Sequence, residues 1–412
     1  MLFLISLILF LIWVTLFFAW GGFWRVWEFD ADRMQFPAPT RWPRVTAVIP
    51  ARNEAASIAL VVAALIKQDY PGEFSMVIVD DHSDDATADL ARTAAGSGAT
   101  SHLQILSAPP LAPGWTGKLW ALNFGVSAAC SADFSAPSRD FGESKSICAA
   151  GEVPPEPPPP NSSGVEFFWF TDADVVHSPD TLRRLVSRAQ TDQLDLASLM
   201  VLLRAETIAE RLLIPPFLYF FLMLYPPKWI ADDRSRTAGA AGGCTLLRRS
   251  ALERAGGLSA IYGEVIDDCA LARAVKESGG KIWMGVTRTS RSLRSYETFA
   301  EIRDVIARTA FTQLRYSPLL LLGTLLGMAL TFLLPVVLTF SPSICVWPLA
   351  LAAWCLMTAS FLPTVTFYRL RPMWAPLLPL AAVFYTYATW LSAVRYWLGH
   401  GGQWKGRIQA RK

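Results

Sequence analysis

Met1 to Trp24 carries no charged side chain, and neither do Pro318 to Phe340, Ile344 to Phe367 or Met373 to Val394. Stretches of this length and character are long enough to cross a bilayer, so they confine the soluble fold to the segment between them. For the first stretch a cleaved leader is the competing reading. It lacks a basic start, its apolar run is too long, and no small-residue cleavage site follows, so an uncleaved anchor over 1–24 is expected. Pro335, Pro348 and Pro363 are positions where the C-terminal spans would kink or break, leaving two to three membrane helices within 318–398. Arg25, Arg33, Arg41 and Arg44 follow the anchor, and an Arg-rich stretch from Arg303 to Arg315 precedes the later spans. Both flank the central segment, which the positive-inside rule therefore places in the cytoplasm of a multi-pass inner-membrane protein. The basic tail over 399–412, with Lys405, Arg407, Arg411 and Lys412, asks for the same side, which three full spans would not allow. One span is therefore expected to be re-entrant or interfacial.

The central segment, 44–316, alternates strand and helix. Val45-Thr46-Ala47-Val48-Ile49-Pro50 reads as a strand, 55–68 as a helix, Met76-Val77-Ile78-Val79 as a strand, 86–95 as a helix and 103–106 as a short strand. Such alternation predicts an α/β domain with a mostly parallel sheet, whose ligands bind beyond the carboxyl ends of the strands. Phe167-Phe168-Trp169-Phe170 is all apolar, as a strand buried on both faces must be. It closes on Thr171-Asp172-Ala173-Asp174. In a continuing strand the two carboxylates would point to one side and converge on one cation. Mg2+ or Mn2+ takes oxygen ligands, usually one or two carboxylates plus substrate phosphates. An isolated D-x-D is more often a solvated loop. Here, however, Pro50-Ala51-Arg52-Asn53-Glu54 and Asp80-Asp81 end neighbouring strands on the same rim.

Residues 131–164, with Pro-Pro-Glu and the four prolines 157–160, cannot continue this pattern and read as a disordered or extended insertion. Leu212 to Tyr225, bracketed by Pro215-Pro216 and Pro226-Pro227, is too short to span and reads equally as a core helix or an interfacial one. A formal charge of +3 with no basic stripe argues against nucleic acid. Six scattered cysteines without a C-x-x-C pair argue against zinc and a disulfide framework.

Val48-Ile49-Pro50-Ala51-Arg52-Asn53-Glu54, Val79-Asp80-Asp81-His82-Ser83-Asp84-Asp85, Asp172-Ala173-Asp174 and Asp267-Asp268 occur in this order at domain-like spacing. The set resembles the inverting family 2 nucleotide-sugar glycosyltransferases, which have a GT-A-type fold. The membrane-anchored layout together with Gly114-Trp115-Thr116-Gly117-Lys118-Leu119-Trp120-Ala121-Leu122-Asn123 is most similar to the hopene-associated members. The resemblance implies that Pro50, Ala51, Arg52 and Glu54 cradle the base and ribose of the donor, and that Asp80 or Asp81 accepts a hydrogen bond from the uracil N–H. Their bland reading is an ordinary capped turn. Asp174 would hold the divalent metal, with Asp172 nearer the ribose or a metal-bound water, and Lys118 would add a point charge to the phosphates or simply be solvated.

Ile266-Asp267-Asp268-Cys269-Ala270-Leu271-Ala272-Arg273 resembles the family's acid-Asp-x-x-Leu-x-x-Arg signature. It makes Asp268 the catalytic base, with Asp267 beside it in place of the more usual Glu. The alternative is a helix N-terminus whose acids complement the dipole. Gly239 to Cys244 is expected to line the acceptor or sugar pocket, or to form a tight turn before a strand. Gln313-Leu314-Arg315-Tyr316 is one residue short of the Q-x-x-R-W element of processive synthases, which counts against polymer synthesis. His177 is within reach of a metal at Asp174, although such a residue more often sits at a surface or helix start. The function so implied is sugar transfer from a nucleotide-diphosphate donor, uridine-based by resemblance, to a membrane lipid such as a hopanoid. A polyprenyl phosphate is the alternative acceptor. A glycoside hydrolase also uses paired carboxylates but leaves the acidic strand ends unexplained, and a non-catalytic scaffold has no use for Asp174 and Asp268 together.

Overall fold

A computed structural model describes residues 1–26, 28–29, 36–96, 102–131 and 164–399, with the backbone of 403–404 and 407–408. The expected 131–164 insertion, except its two end residues, and most of the basic tail lie outside the described residues.

Eight strands form one sheet: β1 (Val45–Ala51), β2 (Phe74–Asp80), β3 (Leu103–Ser107), β4 (Phe167–Thr171), β5 (Val175–Val176), β6 (Leu196–Leu202), β7 (Cys244–Arg248) and β8 (Ile282–Ser292). Their order is β3-β2-β1-β4-β7-β6-β8-β5. The first four in that order are parallel, as the alternation predicts. Beyond them the sheet is mixed, because β7 runs antiparallel to both β4 and β6, and β5 antiparallel to β8. That reversal serves the site. Thr171 pairs with Cys244, so the 239–243 loop enters the sheet beside the exit of β4. Val175 pairs with Ser292, so the chain leaving β8 arrives at the same rim.

The apolar strands divide their side chains between two cores. Val45, Ala47, Ile49, Phe167 and Trp169 face one layer of helices. Val48, Phe168 and Phe170 face the other layer, which includes the Gly117–Ser131 helix. This is the two-faced burial that an uninterrupted apolar strand requires. Gly125 makes the second layer possible, since a Cβ there would stand 2.5 Å from Val48 Cγ1.

The 212–225 stretch is a core element. It belongs to the Ile208–Leu224 helix, with Pro215 and Pro216 buried inside it rather than at its end. An interior proline frees a carbonyl and normally breaks a helix. The carbonyls so freed are those of Arg211 and Leu212; the Tyr385 hydroxyl donates to the next one, Leu213, at 2.8 Å, and Tyr219 Oη bonds Ser360 Oγ at 2.7 Å. These contacts seat the helix on the C-terminal bundle.

Among the described residues, three helices of that bundle are long and apolar enough to cross a membrane: Pro318–Thr339, Trp347–Phe367 and Pro372–Trp397. Pro335 does not break the first. A π-helical turn over Ala329–Leu333 takes up the misfit. Pro348 lies in the first turn of the second helix, where its missing N–H costs nothing. The N-terminal helix, Leu2–Phe18, is shorter at 17 residues. Trp13 joins it to the bundle, donating to the Thr331 carbonyl at 2.8 Å and packing edge-on against Phe332.

Candidate active site

The carboxyl ends of β1 and β4, the 239–243 loop and two helix N-termini meet in one cleft of about 400 Å³, measured with its solvent-open mouth. Pro50, Lys118, Asp172, Gly242, Asp267 and Asp268 line it. Lys118, in the first turn of the Gly117–Ser131 helix, places its ammonium 2.8 Å from Asp172 Oδ1 and 3.7 Å from Asp267 Oδ2. Enclosure disfavours that charge, but the carboxylates of Asp172 and Asp267 outweigh it and hold the amine protonated far into alkali. Burial pushes the Asp172 carboxyl up, and Lys118 more than reverses this, so the group ionises below its ordinary value.

Asp268 stands in the first turn of the Asp267–Glu277 helix. Its Oδ2 accepts from the Gly242 N–H at 2.9 Å and its Oδ1 from the Cys269 N–H at 2.7 Å. Burial first, then the negative charge of Asp267, raise its pKa to about 6 against the pull of Lys118. Gly242 permits the close approach: a Cβ on it would lie 3.1 Å from Lys118 Nζ and 3.4 Å from Asp268 Oδ2. The loop is thus both a turn before β7 and a wall of the cleft.

The Asp172-Ala173-Asp174 segment departs from the strand geometry expected of it. β4 ends at Thr171 and the chain turns, with the Val175 N–H donating to the Asp172 carbonyl at 3.2 Å. Asp172 consequently faces Lys118, while Asp174 meets a residue that sequence reasoning did not anticipate. Arg294 donates from Nε to Asp174 Oδ2 at 3.0 Å and from Nη2 to Glu54 Oε1 at 3.2 Å. Burial and the Asp172 charge raise the Asp174 carboxyl despite this partner. Arg308, half-buried on the Phe299–Gln313 helix, adds positive field at Asp172. Among the described residues it forms no hydrogen bond or ion pair.

The remaining strand-end residues stitch two loops together. Asp80 Oδ1 accepts from the Ser83 hydroxyl at 2.5 Å and from its N–H at 3.3 Å, which is the capped-turn reading. The Asp81 N–H donates to the Ala51 carbonyl at 2.8 Å, and Asp81 is buried beside Arg52, whose Nη1 lies 3.9 Å from its carboxylate. Asn53 and His82 both take positive φ, at 52° and 53°, so that the two loops can interlock. Asn53 Oδ1 then accepts from the Asp84 N–H at 2.8 Å, and Ser83 Oγ from the Asn53 N–H at 2.9 Å.

His177 is not a surface residue. It is buried between Thr171 Oγ1 at 2.7 Å and Ser290 Oγ at 2.8 Å, and burial depresses its pKa to about 3. Gln313 Nε2 donates to the Tyr225 hydroxyl at 2.5 Å.

The described residues contain no group of three or more His, Cys, Asp or Glu side chains arranged to hold a metal by themselves. The donor set suits a hard cation shared with substrate phosphates. Asp172 meets Lys118 through Oδ1 and Asp174 meets Arg294 through Oδ2.

A family model described as Glycosyltransferase like family 2 matches residues 43–312, about two-thirds of the chain. The chain belongs to this family. As a family 2 nucleotide-sugar glycosyltransferase it has the GT-A-like α/β fold. The mannosyltransferase PcManGT from Pyrobaculum calidifontis, solved in complex with GDP-Man and Mn2+, is similar over 97% of this chain and 99% of its own, at 18% identity and TM-score 0.51. That likeness is one of fold, and it extends through the C-terminal helices. The glucosyl-3-phosphoglycerate synthase of Mycobacterium tuberculosis, solved with Mg2+ and uridine-diphosphate, is similar over 66% of this chain and 79% of its own, at 19% identity and TM-score 0.37. No curated protein matches the glycosyltransferase in sequence.

Proposed function

We propose that this glycosyltransferase transfers a sugar, with inversion, from a nucleotide-diphosphate donor to the hydroxyl of a membrane lipid, its catalytic domain on the cytoplasmic face. The observation that carries this reading is the Asp268 carboxylate. It is fixed by two backbone N–H groups in a cleft shared with Lys118 and Asp172, and it titrates at about 6. A base with a pKa just below neutral is ionised at working pH and still takes a proton readily. As the acceptor hydroxyl attacks the anomeric carbon, Asp268 receives its proton and the sugar–phosphate bond breaks.

Pro50, Ala51, Arg52, Glu54, Asp80 and Asp81 are assigned to the nucleoside end of the donor. Asp80 and Arg52 act largely by holding the two loops in shape. A Mg2+ or Mn2+ ion held through Asp174 and Asp172 would supply positive charge to the departing diphosphate. Lys118 gives the same phosphates a point charge once it leaves Asp172.

A lipid acceptor is supported by the apolar side chains in the cleft lining, Leu119, Phe170, Leu258, Ile261 and Leu271. It is supported too by the seating of the catalytic domain on the apolar bundle. Within that class a hopanoid rests only on the resemblance of the membrane-anchored layout and the 114–123 segment. Arg308 favours a second reading, in which the acceptor is a polyprenyl phosphate. An arginine without a carboxylate partner suits a phosphate, and a phosphate nucleophile needs less help from a base.

The test is nucleotide release by detergent-purified protein across a panel of nucleotide sugars, with and without polar lipid extract and EDTA. Release should be stimulated by lipid, stopped by EDTA and absent in Asp174→Asn. EDTA-resistant release, or an active Asp174→Asn, would overturn the assignment of the metal position. Near-normal turnover by Asp268→Ala would select the phosphate acceptor.

A further inference from the structure

Glu210 is a carboxylate with no solvent exposure at all, and its two oxygens serve different parts of the molecule. Oε2 accepts from the N–H groups of Glu206, at 2.8 Å, and Thr207, at 3.0 Å. Thr207 Oγ1 in turn accepts from the Glu210 N–H at 3.1 Å, completing a capping box at the start of the Ile208–Leu224 helix. A capping box uses one oxygen. The other, Oε1, accepts from the N–H of Tyr296 at 2.8 Å, and Thr207 Oγ1 donates to the Tyr296 carbonyl at 3.2 Å. Burial opposes the charge, but the three backbone donors outweigh it and keep the carboxyl below its ordinary pKa. Arg204 Nε stands 3.9 Å away.

Tyr296 lies in a strap, 293–298, that joins β8 to the Phe299–Gln313 helix without secondary structure of its own. The strap is pinned at two places. At its start the Leu293 N–H donates to the Asp174 carbonyl at 2.7 Å, and Arg294 bridges Asp174 and Glu54. Further along, the hold is Glu210 and its cap partner Thr207. The helix that Glu210 begins is itself bolted to the bundle through Tyr219–Ser360 and Tyr385–Leu213.

We propose that Glu210 is a positioning residue for transfer: it tethers the 293–298 strap so that Arg294 stands between Glu54 and Asp174, and it relays the seating of the membrane-side bundle to the rim where the donor diphosphate arrives. This rests on the donor-binding reading above. Arg294 is the acting group, and Glu210 works through it.

The experiment uses the full-length protein with Glu210→Ala, Glu210→Gln, Arg294→Ala and the Glu210→Ala/Arg294→Ala double variant. Amide exchange is followed over 293–298, and affinity is measured for UDP with Mn2+. Glutamine has one acceptor oxygen and presents an N–H group to a third donor, so it preserves the shape but not all three bonds. Glu210→Ala should raise exchange across the strap and weaken UDP·Mn2+ binding about tenfold, with Glu210→Gln intermediate. In the Arg294→Ala background the added effect should be less than about twofold, the non-additivity of a residue acting through another. Unchanged exchange in both Glu210 variants would overturn the tether. A tenfold loss that persists in the Arg294→Ala background would overturn the relay. Should the wild type bind neither UDP nor GDP with Mn2+, the donor reading falls, and strap exchange still decides the tether.

Discussion

Asp268→Asn should abolish transfer and yet leave the protein at least as stable as the wild type near neutral pH. The Asp268 carboxyl titrates at about 6 against an ordinary 3.8, a displacement of about 2 units or about 3 kcal/mol. The side chain is only half-buried, so solvent screening reduces this to about 2 kcal/mol. The sign follows from linkage. With the folded pKa raised, stability is fully present below pH 3.8 and is lost as pH rises through about 6. Ionised Asp268 therefore destabilises the folded state at neutral pH, and a neutral amide removes that strain. Against this, Asn has one acceptor oxygen where Asp uses two, for Gly242 and Cys269, and the orphaned N–H costs about 1 kcal/mol. The net expectation is a gain of about 1 kcal/mol near pH 7.5 and a loss of about 1 kcal/mol near pH 4. Thermal midpoints in one detergent at the two pH values, read beside nucleotide release, give the answer. An inactive variant that is less stable at both pH values would refute the electrostatic argument, and wild-type turnover would refute the role of base.

Three further outcomes follow from the same geometry. The kcat/KM of the wild type should fall about tenfold per pH unit below about pH 6, and Asp267→Asn, by removing a charge that raises Asp268, should move that limb to lower pH; a limb that does not move excludes Asp268 as its source. Lys118→Met should raise the donor KM about 10- to 100-fold, the loss of one charge-assisted phosphate contact, and calorimetric titration with UDP and Mn2+ would show the matching loss unless the lysine merely neutralises Asp172. His177→Gln should lower stability by about 1–3 kcal/mol, the cost of disturbing a buried hydrogen-bonded pair, with Mn2+ affinity and specific activity of the folded protein unchanged; a fall in Mn2+ affinity would return His177 to the ligand set.

The parts of the fold that depend on local pattern were legible in the sequence. Phe167–Thr171 declares a buried strand because nothing in it tolerates water on either face, and the first three strands fall where alternation put them. Asp267, Asp268, Lys118 and Asp172 do gather in one cleft. What was not legible depends on contacts between residues far apart in the chain. Arg294 reaches Asp174 across 120 positions and Glu54 across 240, and no spacing rule announces either. The antiparallel return of β7, which delivers Gly242 to Asp268, is set by sheet order rather than by anything in the 239–248 segment. Pro215 and Pro216, which bracket the 212–225 stretch in sequence, lie inside the Ile208–Leu224 helix. The one local signal is the position of Arg294, two residues past the end of β8 and facing a rim of acids.

The most direct test of the central claim is the fate of a radiolabelled donor sugar incubated with the purified protein, Mn2+ and polar lipid. Label should pass into the organic phase in a product whose anomeric configuration is opposite to that of the donor, and Asp268→Asn should leave it in the aqueous phase. Label released only to water, a product of retained configuration, or undiminished transfer by Asp268→Asn would contradict an inverting lipid glycosyltransferase that uses Asp268 as its base.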